Sequence, residues 1–119
     1  MIRVLVCGSS GFMGRNIVNY FSELDNYEVH GVNSDVTDLT TQTGVDDVFR
    51  DKNFDVVIQA AANTSGAKDI VEKPYLHVTD NAVMNSLILR ACYDCGVKHF
   101  LFLSCGVMYN PDKSPVTEN

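Results

Sequence analysis

Val4-Leu5-Val6-Cys7-Gly8-Ser9-Ser10-Gly11-Phe12-Met13-Gly14-Arg15-Asn16-Ile17-Val18 is the stretch that decides the fold. Its apolar opening, flanked by Arg3 and Gly8, has the unbroken character of a strand covered on both faces. Behind the glycines, Met13, Ile17, Val18, Tyr20, Phe21 and Leu24 recur at helical spacing, and Asp25-Asn26 supplies a stop. The opening therefore reads as strand, tight turn, helix.

Gly8, Gly11 and Gly14 stand at a G-x-x-G-x-x-G spacing inside that turn. Gly8 permits the turn, Gly11 lets backbone approach a diphosphate, and Gly14 lets the helix pack closely on the strand. Free N–H groups at the helix start then face the anion. Gly14-Arg15-Asn16 stands where a triphosphate-hydrolysing loop needs Gly-Lys-Ser/Thr, which excludes that class.

Working outward, Glu28 to Val32 predicts a second strand running into the polar Asn33-Ser34-Asp35, with Asp38-Leu39 just beyond. Val45, Val48 and Phe49 mark a short helix ending near Lys52-Asn53, and Asp55 to Ile58 a further strand leading into Ala60-Ala61-Ala62. After a loop at Asn63-Thr64-Ser65-Gly66, a long helix is expected from Tyr75 to Cys95, with Val78, Ala82, Met84, Leu87, Ile88 and Ala91 inward and Gly96 as its stop. Phe100 to Leu103 is a last apolar strand ending at Ser104-Cys105-Gly106, and residues 110–119 read as a surface loop. Alternating strands and helices joined by right-handed crossovers give an α/β fold of Rossmann type. The expectation is a doubly wound parallel sheet in three αβα layers, strand order 3-2-1-4-5, incomplete at the C-terminus, with residues 1–119 forming a single dinucleotide-binding domain.

Composition narrows the class. A chain of 119 residues with 45% hydrophobic content supports one core. No apolar run approaches the roughly 20 residues of a membrane span, and no cleavage site follows Met1, so a soluble cytoplasmic protein is expected. The formal net charge is −6 and the nine Lys and Arg are dispersed, which disfavours nucleic acid. Cys7, Cys92, Cys95 and Cys105 sit in or beside apolar segments, as in a reducing compartment. The Cys92-x-x-Cys95 pair, late in a helix, reads as ordinary helix cysteines rather than a redox or zinc site. His30, His77 and His99 read as surface or strand-end residues.

The residues resemble the extended short-chain dehydrogenase/reductase family along essentially the whole chain. The carriers are the glycine turn with that family's spacing, Asp38-Leu39, Ala60-Ala61-Ala62, Pro74-Tyr75 with Asn81, the turn Gly96-Val97-Lys98-His99-Phe100, and the strand end Phe102-Leu103-Ser104-Cys105-Gly106-Val107-Met108-Tyr109. The resemblance implies a nicotinamide dinucleotide held by Gly8, Ser10, Gly11, Phe12, Met13, Gly14, Asn33, Ser34, Asp38, Leu39, Ala60, Ala61, Ala62 and Leu103. An acid at the end of the second strand would bond a ribose 2′-hydroxyl and repel a 2′-phosphate. Asn33-Ser34 stands there, with Arg15 expected within reach, so NADP is preferred over NAD unless Asp35 reaches back.

The same resemblance implies a nucleotide-sugar epimerase, dehydratase or reductase, and the stretch from Asp38 to Asn81 looks most like the GDP-fucose synthase branch. Cys105, four residues before Tyr109, falls where the family carries a Ser or Thr on the reacting sugar oxygen, with Ser104 as the neighbouring candidate. The family's Tyr-x-x-x-Lys acid/base pair and its substrate-binding region are expected beyond Asn119, leaving this stretch without that pair and inactive alone. The other reading is a stand-alone NAD(P)-binding regulatory or interaction module. Expected partners are the dinucleotide, a nucleotide sugar in the full-length enzyme, and a second copy of the chain, since the apolar helix face from Val78 to Ala91 invites self-association; no metal is expected.

Overall fold

The computed structural model describes residues 1–62 and 71–104. Along the chain run β1 (Ile2–Cys7), α1 (Phe12–Ser22), β2 (Tyr27–Val32), α2 (Gln42–Phe49), β3 (Val56–Gln59), α3 (Pro74–Asp94) and β4 (His99–Phe102). The strands form one sheet in the order β2-β1-β3-β4, every pair parallel. Val4 lies level with Val29 on one side and Val56 on the other, and Val57 level with Phe100.

Period-two alternation sends successive side chains of β1 to opposite faces. Val4 and Val6 pack with Ile58 against Ile17, Val18 and Phe21 of α1. Leu5, Cys7 and Val57 pack the other face, against Val45, Val48 and Phe49 of α2 and Met84, Ile88 and Cys92 of α3. Both faces of β1 are thus covered, which is why it reads as a continuous apolar run. The chain is an α/β, Rossmann-like domain.

These four strands occupy the last four positions of the expected order 3-2-1-4-5, and among the described residues no strand fills the position outside β2. Residues 33–41 are committed to local turns instead. Asn33 Oδ1 accepts the Asp35 N–H at 2.9 Å, Asp38 Oδ1 accepts the Thr40 N–H at 3.0 Å, and Thr41 Oγ1 caps α2 by accepting the Gly44 N–H at 3.0 Å. Short polar side chains that bond nearby backbone compete with a sheet ladder.

Of the residues read at helical spacing on α1 or as inner positions on α3, four face outward. Met13 and Tyr20 are exposed on α1, whose buried contact is made by Ile17, Val18 and Phe21. On α3 the inner row is Met84, Ile88 and Cys92. At about 100° per residue, Val78 and Ala82 point roughly 120° and 160° away from Met84, and both are exposed.

Gly96, at φ +71°, ends α3 in a left-handed turn. Its N–H reaches Tyr93 O at 3.3 Å and the Val97 N–H reaches Cys92 O at 2.9 Å, the paired bonds of a Schellman motif. This motif splits the C-x-x-C pair: Cys92 is buried and Cys95 exposed. Burial pushes the Cys7 thiol up to about 12 and the Cys92 thiol up to about 11, so neither is a nucleophile at neutral pH. His30 sits edge-on to Phe54 with ring centroids 5.5 Å apart, while His99 is exposed. Among the described residues, no group of side chains is arranged to hold a metal ion, and no helix is long and apolar enough to cross a membrane.

Ile88 is fully buried between α3 and the sheet, whereas its neighbour Leu89 is 54% exposed. Ile88→Ala is expected to cost about 2–5 kcal/mol in urea unfolding, and Leu89→Ala no more than roughly 0.5 kcal/mol.

Candidate functional site

A cleft of about 740 Å³ opens at the C-terminal ends of β1, β2 and β3. The chain leaves β1 toward β2 over one face and crosses from β2 to β3 over the other, so the crevice lies where the winding reverses.

Three backbones meet on its floor. Gly8 adopts φ +83°, and a Cβ there would stand 2.7 Å from the Cα and N of Ala61. A Cβ on Gly14 would overlap Gly8 O, so the helix start rests directly on the turn. The Gly8 and Ser9 N–H groups both donate to Val32 O, at 2.8 and 3.1 Å, lacing the turn to the end of β2.

Gly11 is the N-cap of α1, in extended conformation, and no side chain caps the helix. The first i→i−4 bond is Arg15 N–H to Gly11 O at 2.9 Å. The N–H groups of Phe12, Met13 and Gly14 precede it and have no carbonyl within the helix to bond. The first turn carries no acidic side chain. An anion arriving at the cleft therefore meets oriented amides and the positive end of the helix dipole.

The opposite wall is held by a residue that sequence reasoning misses. Gln59, 1% exposed, closes β3. Its Nε2 donates to Asn85 Oδ1 of α3 at 2.8 Å and to Ala61 O at 3.2 Å, while its Oε1 accepts the Ala61 N–H at 3.2 Å. A polar residue closing the apolar run Val56-Val57-Ile58 is the signal that could have found it. Thr37, Thr40, Asp80 and Met84 also line the cleft, beyond the residues that the sequence points to. The Asp80/Met84 pair, four apart on α3, becomes readable once Met84 is known to face inward.

Every dinucleotide-site residue expected from the sequence lines this cleft except Leu103. Leu103 is half-buried beyond β4 and donates its N–H to Gln59 O at 3.2 Å, so its backbone serves the sheet. Ser104 is exposed and is not among the lining residues; Cys105 lies outside the described residues. Arg15 and Asp35 are exposed and do not line the cleft. Among the described residues its charged lining is Asp38 and Asp80. The Thr40 hydroxyl, donating to Asp38 Oδ1 at 2.6 Å, together with the Thr40 N–H, holds the Asp38 carboxyl below its usual range.

One expectation is corrected by the sequence itself. Tyr109 and Lys113 do stand at a Tyr-x-x-x-Lys spacing, although both lie outside the described residues.

The chain matches the model of the NAD dependent epimerase/dehydratase family over residues 4–119. It is similar to a UDP-glucose 4-epimerase of Caenorhabditis elegans, 24% identical, covering 98% of this chain and 42% of the relative. It is also similar to a UDP-glucose 4-epimerase of Streptococcus mutans, 29% identical, covering 97% of this chain and 39% of the relative. Among solved structures it is similar to a GDP-L-fucose synthetase from Naegleria fowleri bound to NADP, 26% identical with a TM-score of 0.79, covering 98% of this chain and 35% of that one. The chain thus spans about two fifths of the length of the curated relatives.

Because a methyl group at residue 14 has no space against Gly8 O, Gly14→Ala is expected to displace α1. Thermal melting should fall by an amount typical of overpacking, about 1–3 kcal/mol, and the native fraction should lose anion binding at the cleft. Unchanged melting and binding would show that the helix start has room to move.

Proposed function

The chain belongs to the NAD dependent epimerase/dehydratase family, and on that premise we propose that it is the nicotinamide-dinucleotide-binding portion of a nucleotide-sugar epimerase, dehydratase or reductase, similar in kind to GDP-fucose synthase. The observation that carries this reading is the uncapped start of α1, whose free amides open into a cleft shared with the end of β2 and with Ala60-Ala61-Ala62. Likeness to the Naegleria fowleri GDP-L-fucose synthetase supports the branch.

The residues present suit the cofactor. The Phe12, Met13 and Gly14 amides serve the diphosphate, Asn33 and Ser34 a ribose, Asp38-Leu39 the adenine, and Ala60 to Ala62, lacking bulk, a flat ring. When bound, the dinucleotide supplies hydride acceptance and donation at its nicotinamide. The groups proposed to face the reacting sugar oxygen are Ser104 and Cys105, and a thiol is the weaker donor of the two. The buried free thiols of Cys7 and Cys92 fit a reducing cytoplasm.

Two cofactor readings stand on different observations. NADP is favoured because β2 ends in Asn33-Ser34, with no acid to repel a 2′-phosphate, and because the fucose synthetase neighbour holds NADP. NAD is favoured by the cleft's charge: Asp38 and Asp80 line it, and among the described residues no lysine or arginine lines it to meet a 2′-phosphate. Fluorescence titration with NADPH and NADH decides between them. NADPH binding as tightly as NADH, or more so, supports NADP; NADH tighter by about tenfold, or about 1.4 kcal/mol, supports NAD. Binding of neither contradicts the functional reading.

Self-association is part of the proposal. Tyr75, Val78, Leu89 and Tyr93 are each more than half exposed on α3. Together with Ala82 they fall at spacings of three, four, seven and four residues, an apolar seam along one side of the helix. Sedimentation equilibrium is expected to show a dimer or larger species that Leu89→Glu dissociates. A wild-type chain monomeric at 100 μM, on the order of typical weak-association concentrations, would contradict it.

A further inference from the structure

We infer that Gln59 and Asn85 form a positioning pair that sets the shape of the cleft, a step that rests on the dinucleotide-binding reading. Burying a primary amide is costly. Gln59 is 1% exposed, and such a group is kept in a core only when its donors and acceptors are satisfied. Its bonds go to two targets, and both belong to the cleft.

The first target is one peptide segment. Gln59 Oε1 accepts the Ala61 N–H and Gln59 Nε2 donates to Ala61 O, both at 3.2 Å, so the side chain grips residue 61 from both ends. Ala61 is the residue whose N and Cα press on Gly8, where a Cβ would lie 2.7 Å away. The grip on Ala61 therefore fixes the surface against which the glycine turn is seated. Ala60 is tied separately, its N–H donating to Cys7 O at 2.9 Å, which extends the β1–β3 ladder and leaves Ala61 as the first residue that only a side chain can hold.

The second target is α3. Gln59 Nε2 donates to Asn85 Oδ1 at 2.8 Å across 26 residues of sequence. Apolar packing of Met84, Ile88 and Cys92 restrains α3 against the sheet but tolerates small slides along the helix axis, because such contacts are not directional. A single short hydrogen bond at Asn85 is directional and fixes the register. The adjacent Met84 and, five residues earlier, Asp80 line the cleft, so that register decides where a carboxylate and a thioether stand in it.

The pair therefore acts on bound dinucleotide through Ala61 and α3, without touching it. Gln59→Leu keeps the volume and removes the grip, and Asn85→Leu removes only the link to α3. The Kd for NADPH or NADH, whichever the wild-type chain prefers, is expected to rise on the order of tenfold in Gln59→Leu and several-fold in Asn85→Leu, while Asn85→Asp, which keeps the acceptor, stays near wild type. Ile88→Ala is the control: it lowers stability by a comparable or larger amount and, measured well below its melting temperature, leaves Kd unchanged. A purely structural role would make Kd follow stability across all of these variants, and that result overturns the inference.

Amide hydrogen exchange of the wild-type chain gives a readout independent of any variant's folding. Protection of the Ala61 N–H comparable to that of the Ala60 N–H supports the grip, and exchange at the rate of a free loop amide overturns it. A wild-type chain that binds dinucleotide while Gln59→Leu binds it equally well overturns this inference alone. A wild-type chain that binds neither dinucleotide overturns the functional reading and this step with it.

Discussion

The contact among the backbones of Gly8, Gly14 and Ala61 is the constraint on which the rest of the structure depends. Turn, helix start and the segment after β3 meet with no side chain between them, and a single methyl group at either glycine would have to occupy space already held by backbone. That closeness sets α1 down on β1 so that Ile17, Val18 and Phe21 reach Val4, Val6 and Ile58. It also aims the free amides of the first helical turn into the crevice between β1 and β3. The seating of α1 and the anion site proposed at its start therefore both depend on one close approach.

The electrostatics follow from the same backbone arrangement. The chain carries a net charge of −6, and the charged residues that line the cleft among those described are acids. In the proposed site, attraction for a diphosphate would come from aligned peptide dipoles and N–H donors, which are fixed in place and need no reorganisation on binding. Asp38 is occupied by Thr40, so its carboxylate is held by the loop it shapes rather than projected freely into the cleft. Binding that relies on backbone donors discriminates by geometry more than by charge, which fits a cleft built from glycine, alanine and short polar residues.

Much of this is legible in the sequence, and the reasons for success and failure are local. The order of apolar run, spaced glycines and amphipathic helix specifies β1, the turn and α1 because each element requires its own residue types within a few positions. Gly96 marks the end of α3 because a left-handed residue is needed there. The failures are of three kinds. Val78 and Ala82 read as inward in the sequence because apolar character does not say which side of a helix finds a partner. Among the described residues no strand takes the outermost position of the expected order, because Asn33, Asp38 and Thr41 commit residues 33–41 to turns. Gln59 and Asn85 cannot be paired from sequence because their bond spans 26 residues and no periodicity encodes it.

If the amides at the start of α1 receive the diphosphate, two-dimensional ¹H–¹⁵N spectra of the chain, recorded with and without dinucleotide, will show it most directly. The prediction is that the Phe12, Met13 and Gly14 amides show the largest shifts on addition of NADPH or NADH and do not move with a nucleoside lacking phosphate. Shifts confined to other parts of the chain, with these three signals unmoved at saturation, would contradict it.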